Sequence, residues 1–495
     1  MKNIIATFAW ALFLWFSSLI WAESSLPQIE SWITKADRSA LFEKLPGQEP
    51  FRIENRGRGT TIVVDDRQAF QPIDGFGFAL TGGSAELLMK MSPEKRAAVL
   101  RELFAVDAEN IGVSYIRLSI GASDLNSFVF SYNDLPEGET DYQLAKFDLG
   151  QDYHDVIPVM KEILQINPTI KILGSPWSAP AWMKTNNLVR GGFLKEECYS
   201  TFALYLVKYV QHMSRAGVPI DAITVQNEPL NSKNTPSMPW FVDQQAKFIR
   251  DHLGPALAEA GLKTKIILFD HNCDRIDYPL ALLNDPKISA FVDGSGFHHY
   301  GGDIGAMSIV HLARPDKNLY FTEQMVVEDP SSQVIDIAAQ VKRMIIDVTR
   351  SWSRNVILWN LAADPLNDPH TDNGGCSMCQ GAVTIDGDLV SRNIAYYVIA
   401  HASKFVRPGS VRIFSTNTGE NSVSLTEDEE RPGLIRATVI ENSSVLPNVA
   451  FKTADGKIVL IVANTTWSTR SFKIQHNGHW ASIRLDPGAI GTFVW

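Results

Sequence analysis

Two glutamates stand where apolar runs break off: Glu228 in "AITVQNEP" and Glu323 in "LYFTEQ". A pair of carboxylates flanking an acetal is what glycoside hydrolysis requires, one protonating the leaving oxygen and the other meeting the oxocarbenium-like carbon. Their proton affinities must differ. The acid is expected to stay protonated through burial or a negative neighbour, and the nucleophile to be held ionised by hydrogen bonds. Pro229 cannot donate to a strand ladder, so the strand carrying Glu228 is expected to run up to that residue and stop. Other polar residues end apolar runs in the same way. Asn227 is placed to reach a sugar 2-hydroxyl and Tyr300 to donate to the nucleophile. Asp124 is placed to accept from adjacent hydroxyls, and Trp177 and Trp359 to wall the sugar. Taken singly, Trp177, Trp182 and His298 read equally well as core residues.

These positions need a scaffold that gathers strand ends. From Gly75 onward apolar strands alternate with amphipathic helical stretches: "GFGFALTG", "VSYIRLSIG", "IKILGSPWS", "AITVQNEP", "TKIILFD", "GSGFHHY", "LYFTEQ" and "VILWNLA". Eight such strands predict a (β/α)₈ barrel, whose active site lies at the C-terminal ends of the strands. Arg117, Asp124, Trp177, Asn227, Glu228, His298, Tyr300, Glu323, Trp359 and Asn360 all fall there. After Ala400 short turn-separated runs follow, from "SVRIFSTN" through "SVSLTED" and "LIRATVIEN" to "GTFVW", the mark of an antiparallel β-sandwich. The segment before the barrel has the same character and is expected to add strands to it. The expected organisation is a signal peptide over 1–22, a sandwich-contributing segment over 23–70, the barrel over 71–402 and the C-terminal sandwich over 403–495.

The basic start and apolar run ending at "WAES" predict export, to a secreted or periplasmic location. The chain has 495 residues and a formal net charge of −10 without a basic cluster, which excludes nucleic acid or an anionic membrane surface as partner. No later segment is long and apolar enough to span a bilayer, and a monomer is the default. Of the four cysteines, Cys376 and Cys379 form "GGCSMCQG". A zinc site lacks a second Cys pair. In an exported chain a short disulfide is expected, with free thiols the alternative. No metal or cofactor is called for. Asn442 and Asn464 begin glycosylation sequons.

The motifs "DGFGFALTGGSA", "YIRLSIGASDL", "SPWSAPAWMKTN", "TVQNEP", "GFHHY", "YFTEQ" and "LWNLA" resemble, in order, those of glycoside hydrolase family 30, which holds glucosylceramidases and β-1,6-glucanases. The resemblance implies a barrel fused to a sandwich built from both termini and hydrolysis of β-glycosides with retention. It makes Glu228 the general acid/base and Glu323 the nucleophile. Asp124, Trp177, Asn227, Tyr300 and Trp359 become pocket residues, and Arg117 and His298 supports of the carboxylates. The loop "DNGGCSMCQGAVTID" is similar to bacterial members near the β-1,6-glucanase branch, and "LNSKNTPSMPW" departs from the lipid-recognising counterpart. No Arg-rich stretch follows Trp359, which disfavours glucuronoxylan. The expected substrate is therefore β-1,6-glucan, with glucosylceramide hydrolysis or catalytically inactive carbohydrate binding as alternatives.

Overall fold

The apolar runs form strands one to eight: Gly75–Leu80, Tyr115–Ile120, Lys171–Pro176, Ala222–Thr224, Lys265–Asn272, Val292–His298, Asn318–Glu323 and Ser353–Asn360. Each pairs in parallel with its sequence neighbours, and strand eight pairs with strand one to close the barrel. Strands buried on both faces read as continuous hydrophobic runs rather than alternating ones, which is how these eight read. The glycines of "GFGF" have a steric cause. A Cβ at Gly77 would sit 1.8 Å from the Tyr115 carbonyl oxygen, where strands one and two run close. The protein is described by a computed structural model over residues 26–495, apart from 48, 54–59, 330, 417–421, 428–434 and 441–445. The expected leader and Asn442 lie outside the described residues.

Helices return the chain between strands. The helix Tyr199–Arg215 buries Phe202, Leu206, Tyr209, Val210 and Met213, the three-and-four spacing of one helical face. Pro93–Phe104 likewise buries Val99, Leu100, Leu103 and Phe104 on one face. Among the described residues no helix is long and apolar enough to cross a membrane.

A ten-stranded sheet takes strands from both ends of the chain. Its path runs Glu43–Lys44, Gln28–Thr34, Ile490–Val494, Ile458–Ala463, Asn448–Lys452, Val411–Ser415, Thr60–Pro72, Arg470–His476 and His479–Leu485, with Glu49–Pro50 pairing alongside Gln28–Thr34. Strands distant along that path touch: the rings of Phe472 and Phe493 are 6.0 Å apart. The sheet therefore doubles over a shared core containing Ile29, Ile62, Leu460, Ile474 and Phe493. Two of the expected sandwich runs do not join it. Among the described residues Ser422–Glu427 and Ile435–Ile440 pair with each other alone, as a separate hairpin. The second of these strands lies against Cys273–Arg275, on the loop after strand five. The sequon at Asn464 is closed, because the buried side-chain amide donates to the Ser468, Leu485 and Asp486 carbonyls at 2.8–3.1 Å.

The two domains meet at His401, on the helix Ile394–Ser403. Its ring nitrogens contact the Thr34 and Thr492 hydroxyls, one from each terminal strand, at 2.8 and 2.9 Å. Burial pushes His401 down to about 3, so the imidazole is neutral. Because the unfolded chain binds that proton more readily, this contribution to stability is complete above pH ~6.5 and is lost as the pH falls below it. Replacing His401→Ala removes both hydroxyl contacts and empties a buried ring site, and should cost about 1–3 kcal/mol in urea unfolding at pH 7.5. The cost should shrink as the pH is lowered toward 5.

Candidate active site

Strand four is regular only to Thr224, and the chain then bends rather than running straight to Glu228 as the sequence suggests. The Asn227 N–H donates to the Pro176 carbonyl of strand three at 2.8 Å, and the Glu228 N–H to the Asp270 carbonyl of strand five at 3.0 Å. Glu228 sits at φ 46°, a left-handed conformation uncommon outside glycine. Phe269 and Asp270 on strand five have φ of 68° and 64°. Such strain persists where surrounding contacts over-determine it, and it gathers at functional sites. Here it aims Glu228 inward. One carboxylate oxygen of Glu228, one of Glu323 and a ring nitrogen of His298 all lie within 4.8 Å of one another.

Arg117, fully buried on strand two, joins these strand ends. Its guanidinium donates to Glu323 Oε2, to Asn227 Oδ1 and Asp270 Oδ2 at 2.8 Å each, and to Ser175 Oγ at 3.1 Å. Tyr300 Oη donates to Glu323 Oε1 at 3.1 Å and accepts the Met325 N–H at 2.9 Å. The Glu228 carboxylate accepts from Asn231 Nδ2 at 2.7 Å and meets His298 Nδ1 at 3.2 Å. The other ring nitrogen of His298 lies 3.0 Å from Asp270 Oδ1.

The electrostatics run opposite to the sequence expectation. Burial opposes ionisation of Glu228, but the hydrogen bond and charge of His298, with His271 and Asn231, hold it down to about 2. Burial pushes Glu323 up, opposed by His298 and Arg117 and reinforced by the charge of Glu228. Burial likewise disfavours the His298 imidazolium, yet the negative charge of Glu323 and the hydrogen bonds to Asp270 and Glu228 raise it to about 9. Asp270, despite burial, is held well below the usual carboxylate range, chiefly by Arg117 and His298. The expectation failed because it considered burial and the two glutamates and left out a histidine cation between them.

A cavity of about 570 Å³ opens above this network. Asp124, Glu228, Tyr300, Glu323 and Trp359 line it, as do Cys376 and Cys379. Trp177 stacks on Trp359 with centroids 5.3 Å apart and sits 4.9 Å from the Arg117 guanidinium carbon, a layer behind the wall. Asn227 is likewise turned to Arg117. The cysteines form a disulfide in the loop after strand eight, which reaches across the mouth. The Thr371 N–H donates to the Asp124 carbonyl at 2.9 Å, and Thr235 Oγ1 and Arg190 Nη1 both donate to the Asn373 carbonyl at 2.8 Å. Lys184, buried, braces the neighbouring loops through Ser178 Oγ and the Val189 and Ser237 carbonyls. Beyond Glu228 the cavity is polar, lined by Asn231, Lys233, His271, Asn272, Asp274 and Arg275. Sequence reasoning missed Asp270, His271 and Asn231. The first two were findable, since "IILFDHN" is an apolar run ending in polar residues like the others.

A closed parallel barrel carrying paired carboxylates at its C-terminal mouth, fused to a β-sandwich, is the architecture of a glycoside hydrolase. The glycosyl hydrolase family 30 TIM-barrel domain matches residues 73–406 and that family's β-sandwich domain residues 409–493. The chain belongs to glycosyl hydrolase family 30. It is 33% identical over 415 residues to an endo-1,6-β-D-glucanase of Neurospora crassa, covering 78% of this chain and 84% of that one. Identity to the lysosomal acid glucosylceramidase of Mus musculus is 26% over 469 residues, covering 89% and 84%. The solved structure of an endo-β1,6-glucanase superposes with a TM-score of 0.83 at 29% identity, covering 94% of this chain and 99% of that one.

Asp124 is pushed up to about 8 by burial and by the charges of Glu323 and Glu228. The folded protein therefore binds a proton there that the unfolded chain releases near pH 4, and this term destabilises the fold as the pH rises toward 8. Asp124→Asn removes it. The variant should be more stable than the parent by about 1–3 kcal/mol at pH 8 and indistinguishable near pH 4. Its glycosidase turnover should fall ~10²-fold or more as sugar positioning is lost. Thermal unfolding at the two pH values, with an activity assay, checks both.

Proposed function

We propose that the protein hydrolyses β-1,6-linked glucan by double displacement, with Glu323 as nucleophile and Glu228 as general acid/base. The approach of the two carboxylates within 4.8 Å carries this reading. Retaining enzymes hold their carboxyls about 5–5.5 Å apart, and inverting ones leave ~6.5–9.5 Å for a water. In the first step Glu323 attacks the anomeric carbon while the glycosidic oxygen is protonated from the Glu228 side, giving a covalent glucosyl-enzyme. In the second a water, deprotonated on the Glu228 side, releases the sugar. Arg117 and Tyr300 stabilise Glu323 as a leaving carboxylate. Asp124 and Trp359 hold the glucosyl unit, backed by Trp177 and Asn227.

The linkage preference is supported by the endo-1,6-β-D-glucanases among the relatives and by the character of the cavity beyond Glu228. Asn231, Lys233, Asn272, Asp274 and Arg275 offer donors and acceptors suited to the hydroxyls of a departing sugar. Desolvating such groups against a ceramide tail would leave them unpaired. The N-terminal sequence supports export.

The test is a panel of β-1,6-, β-1,3- and β-1,4-glucans with glucosylceramide and glucuronoxylan. The β-1,6-glucan should have the highest kcat/KM; faster turnover of glucosylceramide or xylan would refute the substrate class. Glu323→Gln and Glu228→Gln should each lower kcat on the glucan by ~10³-fold or more.

A further inference from the structure

The two hydrogen bonds of His298 fix how many protons the acid/base side of the site holds. Asp270 is fully buried. It accepts from Arg117 Nη2 at 2.8 Å, Thr322 Oγ1 at 2.5 Å and Ser175 Oγ at 3.3 Å, as an ionised carboxylate does. An ionised carboxylate can only accept, so His298 Nε2, 3.0 Å from Asp270 Oδ1, carries a hydrogen. That leaves Nδ1 facing Glu228 Oε1 at 3.2 Å. Two lone pairs do not face each other at that distance in a buried site, so one proton occupies the contact. It rests either on the imidazolium or on the carboxyl of Glu228.

We infer that Asp270 is a positioning residue which fixes the orientation and charge of His298, so that Glu228 and His298 share one proton and deliver that proton to the leaving oxygen. This rests on Glu228 being the acid/base, as proposed above. In the first step the Nδ1–H bond of His298 breaks and the proton passes through Glu228 to the glycosidic oxygen. The C–O bond to the leaving sugar breaks as the Glu323 oxygen bonds to the anomeric carbon. The Glu228–His298 pair goes from neutral to −1 while Glu323 goes from −1 to a neutral ester, so the buried charge of the site stays constant. In the second step water gives a proton back to the pair as its oxygen displaces Glu323. An ionised Glu228 in the resting site is then no obstacle, because its proton is stored one hydrogen bond away.

The groups facing His298 give the direction of the test. Strand five presents Asp270 and, 6.3 Å away ring to ring, His271, whose proton affinity burial depresses. The chain after strand four presents Glu228. Strand seven presents Glu323 and Thr322, and strand two presents Arg117, bonded to Asp270 and Glu323. Tyr300, on His298's own segment, lies 6.2 Å away and stays protonated under the burial of its hydroxyl and the charges of Glu323 and Glu228. Asp270 is the one anion bonded to the ring on the side away from Glu228. Removing its charge weakens the hold on the shared proton and lets it go at lower pH.

The experiment measures kcat/KM across pH for the parent, Asp270→Asn and Glu228→Gln. Each is assayed on a β-1,6-gluco-oligosaccharide and on 2,4-dinitrophenyl β-glucoside, whose leaving group departs without a proton. Asp270→Asn should move the basic limb down by about one pH unit or more. It should lose ~10²-fold on the oligosaccharide and at least ~10-fold less on the dinitrophenyl glucoside. An unmoved basic limb with equal losses on both substrates makes Asp270 merely structural and overturns the inference. If Glu228→Gln itself loses equally on both substrates, the assignment of Glu228 falls, and the inference with it. Should Asp270→Asn fail to fold by near-UV circular dichroism, His298→Gln must show the same split between substrates, and equal losses there overturn the inference.

Discussion

A guanidinium without solvent access holds the mouth of this barrel together. Removing an ion from water costs several kcal/mol unless partners replace the lost hydration. Arg117 recovers that cost only where Glu323, Asp270, Asn227 and Ser175 converge on it. Those partners come from strands seven, five and three and from the bend after strand four. The requirement to satisfy one buried cation therefore fixes the relative positions of strand ends that are far apart in sequence. A reaction that needs two carboxylates at a set separation benefits from such support, since side chains on rigid strands are placed more closely than side chains on loops.

Around that fixed centre the work is divided. On one side the disulfide loop, Trp359 and Asp124 line the cavity, with Trp177 filling the layer between Trp359 and Arg117. On the other side the wall is polar and broader, built from the chain after strands four and five. The separate hairpin also reaches it, its strand Ile435–Ile440 lying against Cys273–Arg275.

Much of this was legible in the sequence because barrel strands are written as apolar runs and the chemistry sits at their C-terminal ends. Arg117, Asp124, Glu228, His298, Tyr300, Glu323 and Trp359 were all found by that rule, and the structure gathers them at one end. Asp270 obeys the same rule, but no chemical role had been asked of strand five, so its polar ending passed unnoticed. Two strands escaped the patterning: Gln28–Thr34, held by pairing with Ile490–Val494 at the other end of the chain, and Asn448–Lys452, which pairs with Val411–Ser415 and, as a hairpin, with Ile458–Ala463. The hairpin of Ser422–Glu427 and Ile435–Ile440 shows the converse: alternation predicts a strand and not its partner. The charge states were out of reach for a related reason. The Glu228–His298 contact joins residues 70 apart in sequence, and it reverses what burial alone would do to Glu228.

The central claim is that Glu228 and Glu323 act together from opposite faces of one sugar without room for a water between Glu323 and the anomeric carbon. Proton NMR of the first product formed from a β-glucoside, recorded before mutarotation, tests it most directly. The account predicts the β-anomer as the initial product. Initial appearance of the α-anomer would mean a single inverting displacement and would contradict it.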